Sequence, residues 1–289
     1  MAAAHRQAEE AAQSTAALAA ENILRRGSAR EKRGLIAHIS PLMVALGDQR
    51  VDDQVLRATV PPLNDPDWQL RAEVLRRYVG VSVYVGHVGI REIVLPCVVG
   101  ALQDVSDTVV FEAVRAAKAL AELRLLRDTK TLVQTAKAIG PLLCHPSVSL
   151  RQISAEFLHA VGEAINPATA YTCLCPLLSP FLLPGRPLFE LSRRALRAAL
   201  RPPLSSAALE TAVSVAMTAM NTKGKKAAKL EAMQALARHG VTGEFQSAMA
   251  GFIVEAARKR TFTVLERHPH SYSGDTRGGG PSSSSGDPS

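Results

Sequence analysis

Apolar residues recur through most of the chain at intervals of three and four, the spacing of one face of a helix. In the stretch that opens at Asp67, the residues Leu70, Val74, Tyr78 and Val81 follow at steps of four, four and three. They share one stripe, able to pack against the preceding helix of a pair. The same pattern predicts helices near 4–26, 31–46, 50–61, 68–85, 88–102, 108–124, 129–143, 148–164, 168–182, 188–200, 206–220, 223–238 and 243–262. Alternation suggestive of a strand occurs only in "VGVSVYVG", inside a longer helical period, and its Gly80 and Gly86 would weaken a strand.

The pattern repeats. "DWQLRAEV", "DTVVFEAV" and "SVSLRQIS" each follow a turn, and Leu70, Val110 and Leu150 are spaced by forty, as are Arg71, Phe111 and Arg151. Each unit reads as helix, short turn and second helix, and a period near forty is that of HEAT-type pairs. The expected fold is therefore an all-α solenoid of antiparallel helix pairs. Asp67 and Asp107 stand where a second helix needs an N-cap, and Ser147 can serve the third. Arg71 and Arg151 fall at the margin of the buried stripe, within reach of the turn of an adjoining repeat. Trp68, the one tryptophan, reads as a rim residue packing on Pro66. These eight positions, Asp67, Leu70, Arg71, Asp107, Val110, Ser147, Leu150 and Arg151, are expected to shape the repeat and to carry no chemistry. The organisation expected is an Ala-rich N-terminal helix or flexible segment over 1–30, helical repeats over 31–203 and basic helices over 204–262. A disordered Gly, Ser and Pro-rich tail is expected over 263–289.

Composition refines this picture. With 47% hydrophobic but only 4% aromatic residues, the core must be built from Ala, Leu and Val, which suits packed helices. Four sparse cysteines, Cys97, Cys144, Cys173 and Cys175, and no secretory leader favour a reducing, intracellular compartment. The apolar stretches 79–102 and 172–185 are interrupted by Arg91 and Glu92 and by Pro176, Pro180 and Pro184, so neither reads as a membrane span.

The net charge of +8 is concentrated between Arg186 and Arg260, where thirteen Lys and Arg face five Glu and no Asp. Arg193, Arg194, Arg197 and Arg201 fall at helical spacings, and Lys223, Lys225, Lys226 and Lys229 open another helix. Such residues read as solvated helix faces, or as contacts for anionic lipid headgroups or an acidic partner. Nucleic acid is disfavoured, since no aromatics interleave with the charges.

Catalytic motifs are missing from the chain. It has no G-x-x-x-x-G-K-[ST] loop, no H-R-D and D-F-G pair, no G-x-S-x-G elbow and no H-E-x-x-H helix. The Cys173 and Cys175 pair and Cys144 beside His145 lack the C-x-x-C spacing of a structural zinc site and are expected to be buried thiols. No metal or cofactor is expected.

Three stretches carry a family likeness: "NDPDWQLRAEVLRRYVGVSVYVG", "ALQDVSDTVVFEAVRAAKALAEL" and "IGPLLCHPSVSLRQISAEFLHAVG". With its N-D-x-x-D-W-x-L-R turn and its later L-C-H-P turn, the chain resembles the helical-repeat region of the regulatory subunit of class III phosphatidylinositol 3-kinase, over about residues 35–215. That resemblance implies a scaffold for the lipid kinase catalytic subunit and its autophagy or endosomal adaptor subunits. It also implies a cytoplasmic site of action, peripheral on endosomal and autophagic membranes. In that family a kinase-like domain precedes the repeats and a WD-repeat propeller follows. The present chain is thus expected to be a fragment or short form, without kinase activity of its own, and its Met1-Ala2-Ala3 start lacks the glycine of a myristoylation signal.

Overall fold

The computed structural model describes residues 1–46, 55–185, 188 and 191–267. Residues 268–289 of the expected tail, residues 50–54 of one expected helix and most of 186–190 lie outside the described residues. Helix α1, Ala2–Arg26, stops at Gly27. A capping box then starts α2, Ala29–Ala37: Ser28 Oγ accepts the Glu31 N–H at 3.3 Å, and Glu31 Oε2 accepts the Ser28 N–H at 2.7 Å. The single helix expected over 31–46 is broken at His38, where α3, Ile39–Leu46, begins.

Three second helices follow: α4 (Trp68–Ser82), α6 (Asp107–Glu122) and α8 (Val148–Ala164). Between them lie the first helices α5 (His87–Ala101) and α7 (Thr129–Ile139), and after α8 comes α9 (Pro167–Leu178). Both α5 and α9 carry a π-helical turn, Ile90–Val94 and Ala170–Leu174, immediately before a proline pair partner, Leu95-Pro96 and Cys175-Pro176. The Leu95 N–H bonds the carbonyl of Ile90, five residues back, and Cys175 does the same with Ala170. A proline within a helix has no N–H and crowds the carbonyl four residues before it; the widened turn gives that ring room.

Helices α4, α6 and α8 pack on one another along their lengths, while the first helices touch mainly their own partners. The row of second helices is therefore the more closely packed side of the stack. Leu70, Val74, Tyr78 and Val81 are all buried, and α4 is lined on two sides, by α2 and α3 and by α6. Tyr78, among the largest fully buried side chains, keeps its hydroxyl 3.1 Å from Thr59 Oγ1. After α10, Arg193–Ala199, the chain forms a bundle of α11 (Ser206–Lys223), α12 (Lys225–Arg238) and α13 (Gly243–Arg267). That last helix runs five residues past the expected start of the tail. An isolated antiparallel bridge, Leu182 to Leu200, is the only strand-like pairing among the described residues.

The repeat register differs from the regular forty read in the sequence. The N-cap residues are Asp67, Ser106 and Ser147, spaced by 39 and then 41. Val109, one place before Val110, therefore sits where Leu70 and Leu150 sit, although both valines are buried. Asp107 is the first residue of α6 and not its cap, and the Ser147 side chain makes no capping bond. Only Asp67 caps as expected, accepting the Gln69 N–H at 2.9 Å.

Candidate functional site

The three second helices are entered through a shared turn. In each repeat the residue two places before the N-cap accepts that residue's N–H: Asp65 Oδ1 from Asp67, Asp104 Oδ1 from Ser106 and His145 Nδ1 from Ser147. In two of the three, an arginine four residues after the cap closes the same turn. Arg71 Nη1 donates to the carbonyls of Asp65 and Pro66 at 2.7 and 3.2 Å, and Arg151 Nη1 to those of His145 and Pro146 at 2.8 and 2.6 Å. The corresponding position in the middle repeat is Val110, which has no such donor.

Arg71 also crosses to the next repeat. Its Nε and Nη2 hold Asp104 in a bidentate pair at 2.9 and 2.8 Å, with both residues buried. The C-terminal bundle closes over this pair. Lys259 Nζ lies 3.8 Å from Asp104 and donates to the Gly100 carbonyl at 3.0 Å. Burial pushes the Lys259 ammonium below its usual range, with Asp104 pulling the other way. His145 is covered too: burial lowers its pKa, Asp107 opposes that shift, and Arg151 and Arg260 add to it. Cys144 is buried beside it and its thiol is pushed up to about 12 by burial, a value at which it stays protonated and inert. The expectation of buried thiols fails for Cys173, exposed within the π turn of α9, and for Cys175, half-buried just after it. Trp68 stays 45% exposed at the start of α4.

Ion pairs tie α2 to the start of α4 and then join the successive second helices. Arg33 meets Asp67 at 3.6 Å, Arg76 meets Glu112 at 2.9 Å and Lys118 meets Glu156 at 3.0 Å. Glu156 is shared with Arg193 at 3.6 Å, and its carboxyl is held below the usual range chiefly by the Lys118 hydrogen bond. At this end the ladder opens into a groove of about 480 Å³ between α8, α10 and residues 200–203. Arg151, Arg193, Arg197 and Arg201 line it. Arg194 is exposed beside it.

The lysines are elsewhere. Lys223, Lys225, Lys226 and Lys229 are exposed on α11 and α12, with Lys223 paired to Glu231 and Lys225 to Glu255. The two basic groups expected from the sequence thus share no cleft. Arg201 belongs to the groove through a contact that the sequence did not signal: its guanidinium lies 5.5 Å from the ring of Phe245, from α13. Among the described residues no group of His, Cys, Asp and Glu has a metal-binding arrangement, and no helix is long and apolar enough to cross a membrane.

Comparison with known proteins accords with the repeat region. The chain is 31% identical over 152 residues to a probable serine/threonine-protein kinase vps15 of Dictyostelium discoideum, covering 53% of this chain and 8% of that protein. Over 174 residues it is 26% identical to the serine/threonine-protein kinase VPS15 of Arabidopsis thaliana, covering 60% of this chain and 12% of the relative. The matches thus span about a tenth of the relatives' own length. Among solved structures, an engineered protein overlaps at a TM-score of 0.43 and 17% identity, covering 83% of this chain and 96% of that one. A computationally designed armadillo repeat protein for modular peptide recognition overlaps at 0.41 and 15%, covering 82% and 98%. These overlaps are loose, and the fold rests on the helix pairing itself. The model of the PIK3R4-like family, middle domain, matches residues 2–213, from α1 through the arginine groove into α11, and the chain belongs to that family.

Proposed function

We propose that the chain is a non-catalytic scaffold segment of the class III phosphatidylinositol 3-kinase complex. In this reading the row of second helices presents a surface to the lipid kinase catalytic subunit and to adaptor subunits of autophagy and endosomal sorting. The observation that carries it is the unbroken stacking of α4, α6 and α8 within the family-matched region. A stack in which each unit touches its neighbours leaves one extended side open to partners. On that side Arg76, Arg77 and Arg115 keep 44, 41 and 45% of their side chains exposed while anchored to Glu73 and Glu112. The kinase name borne by the relatives belongs to those longer proteins, whereas the family match here is to a middle domain. The site of action would be cytoplasmic, peripheral on endosomal membranes, with the exposed lysines of α11 and α12 available to anionic lipid.

Co-expression of the full chain with the class III catalytic subunit, followed by affinity capture, tests the reading. Recovery of the catalytic subunit, reduced in an Arg76→Glu/Arg77→Glu variant, is the expected result. No recovery under conditions in which the whole regulatory subunit captures it would count against the scaffold role.

A further inference from the structure

The groove at the end of the ladder has features that the scaffold reading does not use. Its floor is apolar, formed by Leu143, Leu183, Leu200 and the adjacent Pro202 and Pro203, and Val148 stands at its edge with 65% of its surface exposed. Among the described residues, four arginines surround this floor against the single carboxylate of Glu156. Arg193 holds that carboxylate only at 3.6 Å, and Arg151 spends one nitrogen on the turn carbonyls. Arg201 is fixed over Phe245, yet its Nε is buried with no acceptor among the described residues.

We propose that this groove is a docking site for an extended segment of another protein, in which apolar side chains are flanked by carboxylates. A buried guanidinium nitrogen without an acceptor is costly, and a carboxylate entering the groove would supply one. The ring contact fixes the Arg201 fork in advance, so little side-chain freedom is lost when the ligand arrives. The apolar floor takes what the arginines cannot, a leucine-sized side chain covered from water. A phosphate headgroup fits less well: it would leave the floor bare and meet Glu156. Single-stranded nucleic acid has no free ring on which to stack, since Phe245 is covered by Arg201. The proposal stands apart from the scaffold reading and needs no lipid kinase.

Fluorescence polarisation with the full chain tests it. The probe is a labelled peptide, Glu-Asp-Asp-Leu-Asp-Leu-Glu-Glu, with two controls, one in which serine replaces leucine and one in which amides replace the acids. Arg197→Glu changes an exposed residue. Val148→Asp puts a carboxylate into the groove at the first position of α8, where it suits the helix start. Both variants are expected to keep the circular dichroism of the parent and to bind the probe at least about tenfold more weakly. Both control peptides should show a loss of the same order. No saturable binding of the probe overturns the proposal, and so does equal affinity in the two variants. Equal binding of the leucine-free control would show only surface attraction and overturns it as well. Sedimentation with phosphatidylserine vesicles that is lost in Arg197→Glu, without competition by the probe, would assign the groove to lipid instead.

Discussion

Replacing Arg71 by methionine should be among the most damaging single changes in the repeat region. The substitution keeps much of the side-chain volume but removes four hydrogen bonds, two to Asp104 and one each to the Asp65 and Pro66 carbonyls. The Asp104 carboxylate would remain buried with only the Ser106 N–H and Lys259, at 3.8 Å, for company. Breaking a buried pair from one side costs about 3–5 kcal/mol, and the remaining Lys259 charge puts the expected loss near the lower end, about 3 kcal/mol. Asp104→Leu should cost a similar amount, because Arg71 is then the buried charge. The double variant should be less damaged than the sum of the singles, leaving a coupling energy of about 2 kcal/mol. Urea unfolding followed by circular dichroism would measure all four proteins, with the denaturant slope checked for each, since repeat arrays can depart from two-state behaviour. Single losses under about 1 kcal/mol, or a coupling under about 0.5 kcal/mol, would refute the view that this pair locks adjacent repeats.

His145 should make stability depend on pH. Its folded pKa is lowered, so the neutral form that accepts the Ser147 N–H is favoured in the fold, and the unfolded chain takes up the proton first. Its contribution is present above the ordinary histidine value of about 6.5 and is lost as pH falls through the lower folded value. His145→Asp installs the group found in the other two turns and should flatten that part of a melting-temperature profile; an unchanged slope would exclude His145 as its source. Among helix glycines, Gly162→Ala should destabilise, because a Cβ there would meet Leu191 Cβ at 2.9 Å, whereas Gly251→Ala enters open space and should gain about 0.5–1 kcal/mol in thermal or denaturant melts. Asp67→Ala should cost about 1 kcal/mol through its lost cap, and Asp107→Ala clearly less, a ranking that the same melts would check.

The architecture was legible because helical periodicity acts locally: a stripe such as Leu70, Val74, Tyr78 and Val81 names its own buried face. The repeat was legible for the same reason, but its register was not. Asp107 looks like a cap from its neighbours alone, and only the position of Asp104, fixed by Arg71 from the preceding repeat, shows that α6 begins one residue earlier. The break at His38 and the π turns before Pro96 and Pro176 were likewise hidden, since a proline in an apolar run does not reveal how the backbone makes room for it. For the candidate site, the arginines of α10 were visible as a charge pattern. Their grouping with Arg151, and the stacking of Arg201 on Phe245, bring together residues 42 or more positions apart in sequence, a separation that no local pattern records.

The bond from Lys259 to the Gly100 carbonyl joins positions 159 residues apart. An open array can fray from either end one unit at a time, each loss costing little beyond a single interface. Here the far end is clasped to the middle, so fraying of α13 also uncovers Asp104 and with it the lock between two earlier units. During synthesis that clasp stays open until residue 259 has left the ribosome, which delays completion of the middle units long after their own helices have emerged.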